Sequence, residues 1–230
     1  MALAEAHFES WERELRLPEL AAPRAAHPSA VGWRSVAKRV LDVLVAAVGL
    51  VLVTPVAVVI ALAVKRDSGP VFFRQERVGR DGRTFMVWKF RTMVTDAEAQ
   101  LVDLRDRNEA DGPLFKLRND PRVTSVGRIL RKTSLDELPQ LLNVLKGDMS
   151  LVGPRPALPA ELLSWDDDLY ARLLVKPGIT GLWQVSGRSD ADFATYSQLD
   201  LRYVNHWSLF TDFAILCKTV PTVLFGGGAY

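Results

Sequence analysis

The sequence is poor in the residues that build disulfides and zinc sites. Its 230 residues include one cysteine, Cys217, and three scattered histidines. A single cysteine excludes a disulfide within the chain and fits a reducing compartment. A His/Cys zinc site needs several such ligands at close spacing, and this chain does not offer them. The formal net charge is only +2, so no overall positive field favours nucleic acid, and we expect no nucleic-acid partner.

One long stretch has no charge at all. Residues 43–64, VLVAAVGLVLVTPVAVVIALAV, would form a helix about 33 Å long, enough to cross the hydrocarbon core of a bilayer. The alternative is a buried helix of a soluble core, but such helices usually carry a polar edge, and only Thr54 is polar here. A cleaved signal peptide is disfavoured because the run is too long and starts far from residue 1. The sequence therefore predicts a helix embedded in a membrane.

Two features argue against a plain membrane span. The cations Lys38-Arg39 precede the apolar run and Lys65-Arg66 follow it. The positive-inside tendency then places both ends in the cytoplasm. Pro55 removes a helical hydrogen bond and predicts a kink, where the Thr54 hydroxyl can bond a freed carbonyl. A re-entrant helix that bends at Thr54-Pro55 satisfies both features, and a kinked helix that crosses the membrane is the alternative.

The segments after the membrane helix alternate apolar, aromatic and basic residues. In residues 69–93, two strand-like runs flank GRDGR, and Asp81-Gly82 is a strong hairpin signal. Residues 119–133, NDPRVTSVGRILRKT, have apolar residues at helical spacing and cations on other faces. Such a helix is typical of a membrane surface, and an ordinary helix packed on a core would look the same.

Two adjacent acids, Asp136 and Glu137, stand in LRKTSLDELPQL, residues 130–141. One interpretation is structural: Ser134 and Glu137 have the spacing of a capping box at a helix start. The other is chemical, because a carboxylate can attack phosphorus and form an acyl phosphate. Helix N-termini bind phosphates, and two acids with a phosphate make a Mg²⁺ site. Arg131 lies five residues before Asp136 and can reach the same corner.

Several long motifs together carry a family resemblance. They are KRVLD before the proline-interrupted apolar run, GPVFFRQERVGRDG, KFRTM, TSLDELPQLLNVLKGDMSLVGPRP and KPGITGLWQVSGR. In this order, over roughly residues 35–230, the chain resembles the bacterial sugar transferases, the monotopic polyprenyl-phosphate phosphoglycosyl transferases. The short chain and its LFGGGAY ending are similar to the exopolysaccharide branch, which transfers galactose or glucose phosphate to undecaprenyl phosphate.

The resemblance implies a fold and a location. The expected fold is α+β and mainly helical, with a β-hairpin and amphipathic interfacial helices. Residues 1–34 are an N-terminal extension, residues 35–66 a re-entrant membrane helix, and residues 67–230 a cytosolic phosphoglycosyl transferase domain. The family's helix re-enters at a Ser-Pro break, and Thr54-Pro55 keeps the hydroxyl and the proline. The protein is therefore expected at the cytoplasmic face of the bacterial inner membrane.

The resemblance also implies a mechanism. A sugar-1-phosphate moves from a UDP-hexose to undecaprenyl phosphate, with Asp136 as the nucleophile, Glu137 as its partner, and UMP as the leaving group. Both acids would lie near Mg²⁺, the expected cofactor. The expected partners are the UDP-hexose, undecaprenyl phosphate and the phospholipid membrane, and a homodimer is compatible with this reading. The expected substrate-binding residues are Arg131, Arg155, Lys89 and Arg91 for phosphates, and Gln184 and Arg188 for the nucleotide-sugar.

Two alternatives stay open at this level. A membrane-surface adaptor without activity would use its cations on lipid headgroups and its acids as helix caps. An enzyme with the same chemistry could take an N-acetylhexosamine donor, although the C-terminal segment weighs against that choice. The sequence leaves the hexose and the polysaccharide open.

Overall fold

The computed structural model describes residues 32–109, 117, 119–186 and 193–225. Residues 1–31 of the predicted N-terminal extension lie outside this part. Helices dominate the described residues, with one antiparallel and one parallel two-stranded sheet, which confirms the α+β, mainly helical class. The helices are α1 (Trp33–Lys65), α2 (Ala97–Leu104), α3 (Ser125–Thr133), α4 (Gln140–Lys146), α5 (Leu182–Ser186), α6 (Phe193–Asn205) and α7 (Leu209–Phe225). The strands are β1 (Phe72–Val78), β2 (Thr84–Phe90), β3 (Ser150–Val152) and β4 (Gly178–Thr180).

Helix α1 contains the whole uncharged run and continues through Pro55. The predicted interruption into two helices is therefore not present in this structure. Pro55 lacks an N–H and cannot bond the carbonyl of Val51, but the turns on either side keep their own hydrogen bonds. The Thr54 hydroxyl donates to the carbonyl of Leu50 at 2.7 Å, which is not the carbonyl that the proline frees. A bend at Pro55 stays a prediction.

The middle of α1 is exposed on most sides. Only 11% of its most apolar 18-residue window is buried, and Val51 and Leu52 are 73% and 71% exposed. A core helix of a soluble domain would bury most of such a surface, because each buried apolar side chain contributes about 1.5–3 kcal/mol. Long, apolar and uncovered, α1 has the surface of a lipid-facing helix.

Both ends of α1 contact the same domain. Near its start, Arg39 donates to the carbonyls of Val144 and Leu145 at 2.6 and 3.0 Å, at the C-terminus of α4. Near its end, Ile60 and Val64 are buried in a cluster with residues of β2 and α3. The two ends of the helix are therefore fixed against one body of protein.

A buried polar network reinforces the first contact. Lys38 pairs with Asp212 of α7 at 2.6 Å. Asp42, which is 6% exposed, accepts hydrogen bonds from the hydroxyl of Ser150 and the amide of Leu151 in β3. These bonds join the start of α1 to β3, in the core of the domain.

The hairpin forms where the sequence predicts it. Strands β1 and β2 pair antiparallel, and Asp81 and Gly82 in their connection take positive φ values of 59° and 75°. Because side chains alternate across a strand, Phe73 and Arg77 of β1 share one face with Lys89 of β2. From this face the ammonium of Lys89 donates to Glu137 of the acid pair.

The core of the domain surrounds the short parallel pair β3–β4. Val144, Met149, Val152 and Val204 are at most 1% exposed and pack in one cluster. The amide of Gly153 continues the pairing by donating to Thr180, so β3 runs directly into the loop that carries Arg155. The core thereby fixes the backbone position from which the Arg155 side chain extends.

Helix α3 stands unusually close to the chain that leaves β2. Thr124 caps α3, since its hydroxyl accepts from the amide of Gly127 at 2.9 Å, and its own amide donates to the carbonyl of Thr92 at 3.0 Å. A Cβ atom at Gly127 would overlap that carbonyl. The approach requires glycine, and it brings Arg131, one turn further along α3, over Thr92.

We expect Gly127→Ala to lower the free energy of unfolding by about 2–3 kcal/mol, because a rigid backbone carbonyl must move. Gly49→Ala is the matched control, since its added methyl would meet Leu141 at an ordinary 3.6 Å. Alanine also favours a helix over glycine by about 1 kcal/mol. Thermal unfolding of both variants in detergent measures the difference, and equal midpoints would contradict the close approach.

Candidate active site

The acid pair lies in a single 3-10 turn, Leu135–Glu137, between α3 and α4. Ser134 before it takes a left-handed conformation with φ of 55° and ends α3. The chain therefore reverses sharply, and Pro139, which cannot donate a helical hydrogen bond, delays α4 to Gln140. Asp136 is 8% exposed in this turn and Glu137 is half-buried.

The capping-box interpretation of these residues is wrong. The Ser134 side chain makes no cap hydrogen bond to the turn, because its left-handed backbone belongs to the end of the preceding helix. Glu137 does not reach back to the chain before it. Its carboxylate instead accepts from the ammonium of Lys89, on β2, at 2.7 Å.

The two carboxyl groups have different electrostatic environments. Burial raises the pKa of Asp136 to about 6, and the negative charge of Glu137 adds to the rise against the opposing effect of Lys89 and Arg131. Burial also disfavours the charge on Glu137, but Lys89, Arg155 and Arg77 outweigh it and hold its pKa below the usual value. Near neutral pH both groups are charged, and Asp136 is the more basic of the two.

Four cations from separate parts of the chain lie within electrostatic range of the pair. Lys89 contacts Glu137 directly. Arg131 of α3 acts on the charge of Asp136, and its Nε atom is oriented by a 3.0 Å hydrogen bond to the hydroxyl of Thr92. Arg155, in the loop after β3, and Arg77, on β1, both act on Glu137. The structure thus brings together five of the predicted site residues: Asp136, Glu137, Lys89, Arg131 and Arg155.

Arg77 is the member of this group that the sequence prediction missed. It is 7% exposed and donates to the carbonyl of Pro156 at 3.0 Å and to the side chain of Gln75 at 2.6 Å. Strand alternation places Arg77 on the same hairpin face as Lys89 once the two strands are paired in register. Without the register of the hairpin, however, Arg77 could not be separated from its neighbouring arginines.

A second set of buried charges holds the backbone of Arg155. Arg172 donates to the carbonyl of Arg155 at 2.9 Å and pairs with Asp200 of α6 at 2.8 Å. Arg172 is 3% exposed and Asp200 is fully buried. The sequence analysis predicted neither residue, since each is a single charge within an ordinary helical pattern. They fix the position of the loop between its two prolines.

The other predicted site residues have different surroundings. Arg91 is buried and donates to the carbonyls of Val64, Pro70 and Met93, so most of its donors are engaged in structure. Its phosphate-binding role stays a prediction. Gln184 lies in α5, where its Oε1 atom is buried without a hydrogen-bond partner in the described part of the chain. Arg188 lies outside the described residues.

The acid pair has the ligand types that Mg²⁺ prefers. In the described residues no three His, Cys, Asp or Glu side chains form a metal cluster. Mg²⁺ does not need one, because it commonly binds one or two carboxylates, substrate phosphates and water. Asp136 and Glu137 supply two carboxylates, of which only one oxygen is bonded to Lys89. The donor set therefore fits Mg²⁺ together with a phosphorylated substrate.

Comparison with known proteins gives the family. A model described as bacterial sugar transferase matches residues 33–226. This chain belongs to the bacterial sugar transferase family, which are enzymes, and the resemblance predicted from the motifs is confirmed. The match begins at the first residue of α1 and includes the acid pair, the four cations and the loop of Arg155.

Among curated relatives, the galactosyl transferase CpsE of Streptococcus agalactiae is 48% identical over 195 residues, or 84% of this chain and 43% of that protein. The undecaprenyl-phosphate galactose phosphotransferase of Salmonella typhimurium is 49% identical over 200 residues, 84% of this chain and 41% of that protein. The chain thus spans less than half the length of these two relatives. The exopolysaccharide production protein ExoY of Rhizobium meliloti is 47% identical over 199 residues, which cover 84% of this chain and 88% of ExoY.

We expect Asp136→Asn to raise the free energy of unfolding near pH 7.5 by about 1–3 kcal/mol. The native pKa of Asp136 is about 6, above its ordinary 3.8, so the native state binds this proton more tightly than the unfolded state. Stability is therefore lost as pH rises from about 4 through about 6, and neutral asparagine avoids that loss.

Thermal unfolding with EDTA present, across about pH 4–8, measures this difference. The gain should shrink to a small part of its value near pH 4, where the native aspartate is protonated and the unfolded aspartate is only about half ionised. Asp167→Asn, at an exposed aspartate, is the control and should leave the midpoint unchanged. A variant at position 136 that is less stable than the wild type near pH 7.5 would refute the raised pKa.

Proposed function

We propose that this protein transfers hexose-1-phosphate, with galactose or glucose as the hexose, from a UDP-sugar to undecaprenyl phosphate. This would be the first membrane step in making an exopolysaccharide or lipopolysaccharide. Relatives named for galactose transfer, and one named UDP-glucose:undecaprenyl-phosphate glucose-1-phosphate transferase from Caulobacter vibrioides, support this donor and acceptor. The observation that carries the proposal is the basic carboxylate of Asp136, partly freed from water among four cations.

In the proposed first step, a carboxylate oxygen of Asp136 attacks the phosphorus that bears the sugar. The bond from that phosphorus to the oxygen of UMP breaks, and UMP leaves with the electron pair. In the second step, an oxygen of undecaprenyl phosphate attacks the same phosphorus, and the bond to Asp136 breaks. The carboxylate is restored, so that one site serves a water-soluble donor and a lipid acceptor in turn.

The side chains around Asp136 have distinct parts in this scheme. Glu137 stays charged, and its repulsion makes the neighbouring carboxylate more basic and thus a better nucleophile. Lys89 keeps Glu137 in place, and Arg131 lies beside Asp136. Arg155 and Arg77 are directed at the diphosphate, where charged donors bind phosphate oxygens strongly.

Mg²⁺ is the proposed cofactor, with Asp136 and Glu137 as its protein ligands. When bound, it would reduce the repulsion between the carboxylates and the anionic diphosphate.

We further propose that α1 enters and leaves the membrane on the cytoplasmic face of the inner membrane. Support comes from the contacts at its two ends, since Arg39 bonds α4 and Val64 packs against β2 and α3. A helix that crossed the bilayer would carry one of these ends, with its pair of cations, to the opposite side. The re-entrant arrangement keeps both ends on the domain and holds the acid pair near headgroup depth.

The catalytic proposal predicts that Asp136→Asn lowers UMP release from UDP-hexose at least about a thousandfold, because the nucleophile is lost. Asp167→Asn should retain wild-type rates. The assay uses Mg²⁺, undecaprenyl phosphate and a panel of UDP-sugars, including an N-acetylhexosamine donor. Incubation of the wild type with labelled donor alone should leave label on Asp136, and a variant that still turns over would rule out the covalent route.

The topology proposal predicts that cysteines placed at both ends of α1 react only after cells are permeabilised. Ser35→Cys and Asp67→Cys, each in a Cys217→Ser background, supply one thiol apiece. The exposed Cys217 of the wild type is the internal control for the domain side. Labelling of either end by an impermeant reagent in sealed cells would show a helix that crosses the membrane.

A further inference from the structure

One buried carboxylate sits behind the substrate-facing arginines without touching the acid pair. Glu161, in the 3-10 turn Pro159–Ser164, is 1% exposed. Its Oε1 atom lies 3.4 Å from Nη1 of Arg155 and 3.7 Å from Nη1 of Arg77. The same oxygen accepts from the amide of Leu158 at 3.1 Å. One oxygen thus links two guanidinium groups that come from distant parts of the chain.

The two arginines oppose each other electrostatically. Burial lowers the pKa of Arg77, and the positive charge of Arg155 lowers it further. The charges of both groups nevertheless lower the pKa of Glu137, so both lie within electrostatic range of the acid pair. Arg77 is buried and Arg155 is partly exposed, and two like charges so placed on one oxygen repel each other unless an anion lies between them. Glu161 is the carboxylate in that position.

The hydrogen bonds of Glu161 do not by themselves explain its burial. Its second oxygen, Oε2, is buried and has no hydrogen-bond partner in the described part of the chain. An incompletely bonded buried carboxylate is costly for a fold, and a neutral side chain could accept from Leu158 equally well. The negative charge is the property that the two arginines require.

We propose that Glu161 is a positioning residue that holds the guanidinium groups of Arg77 and Arg155 together beside Glu137, where they bind the diphosphate of the donor. This inference rests on the proposed function. Glu161 acts through the arginines and does not touch the substrate. Because the arginines bind the diphosphate in the ground state, loss of Glu161 should weaken donor binding more than it slows the chemical step.

The test is Glu161→Gln in the full chain, in detergent or nanodiscs. Glutamine keeps the volume and an acceptor for Leu158, and removes only the charge. We expect KM for the UDP-hexose to rise at least tenfold, while kcat falls less than threefold. A role in folding alone would lower the active fraction, and hence the apparent kcat, with KM unchanged. Glu98→Gln, at an exposed glutamate of α2, is the control.

A double variant shows whether the effect passes through the arginines. In an Arg155→Ala background the repulsion between the two guanidinium groups is gone, so adding Glu161→Gln should change KM less than threefold. An undiminished effect in that background would overturn the proposal. So would an unchanged KM in the single variant.

Binding of UDP alone separates this inference from the proposed function. If the wild type binds UDP and Glu161→Gln binds it at least tenfold more weakly, the role of Glu161 holds even if no UMP is ever released. If UMP is released and the variant binds UDP as the wild type does, only the role of Glu161 fails.

If Glu161→Gln does not fold, Glu161→Asp is the second variant. It shortens the side chain by one methylene and so moves the charge away from the arginines. UDP affinity should then fall at least threefold, and an unchanged affinity overturns the proposal.

Discussion

The repulsion between two neighbouring carboxylates is the constraint around which this domain is arranged. Two unit charges about 4 Å apart interact with about 4 kcal/mol at an effective dielectric constant of about 20, a large share of the 5–15 kcal/mol that typically stabilises a fold. Asp136 and Glu137 sit in one tight turn and are partly removed from water. The domain keeps them charged by drawing cations from the hairpin, α3 and the loop after β3.

The membrane helix is part of that arrangement and not an attached anchor. Its first turns form hydrogen bonds with α4, the helix that follows the acid pair, and with β3, which leads to Arg155. Its last turns pack against Phe90, which follows Lys89 in β2, and against Leu130, which precedes Arg131 in α3. In the proposed topology, the depth of α1 in the bilayer and the height of the acid pair are therefore set by the same contacts.

Much of this could be predicted from the sequence. The uncharged run, the Asp81-Gly82 turn and the adjacent acids are local signals, and local chemistry decides them. The capping box failed because Ser134 belongs to the end of α3, and a left-handed residue at that point is decided by how two helices meet. Arg77 and Asp200 were missed for a related reason. A buried charge is recognisable from its long-range partners. The carbonyl that Arg77 bonds lies 79 residues away, and the arginine that pairs with Asp200 lies 28 residues away.

Arg91 and Thr92 are consecutive residues with two different attachments. Arg91 bonds the carbonyl of Val64 at the end of α1, and Thr92 accepts from the Nε atom of Arg131 beside Asp136. A thinner or thicker bilayer strains an embedded helix and shifts its ends. Here such a shift would pass across one peptide bond to Arg131 beside Asp136. Under the proposed function, the lipid composition of the membrane would therefore tune the rate of sugar-phosphate transfer.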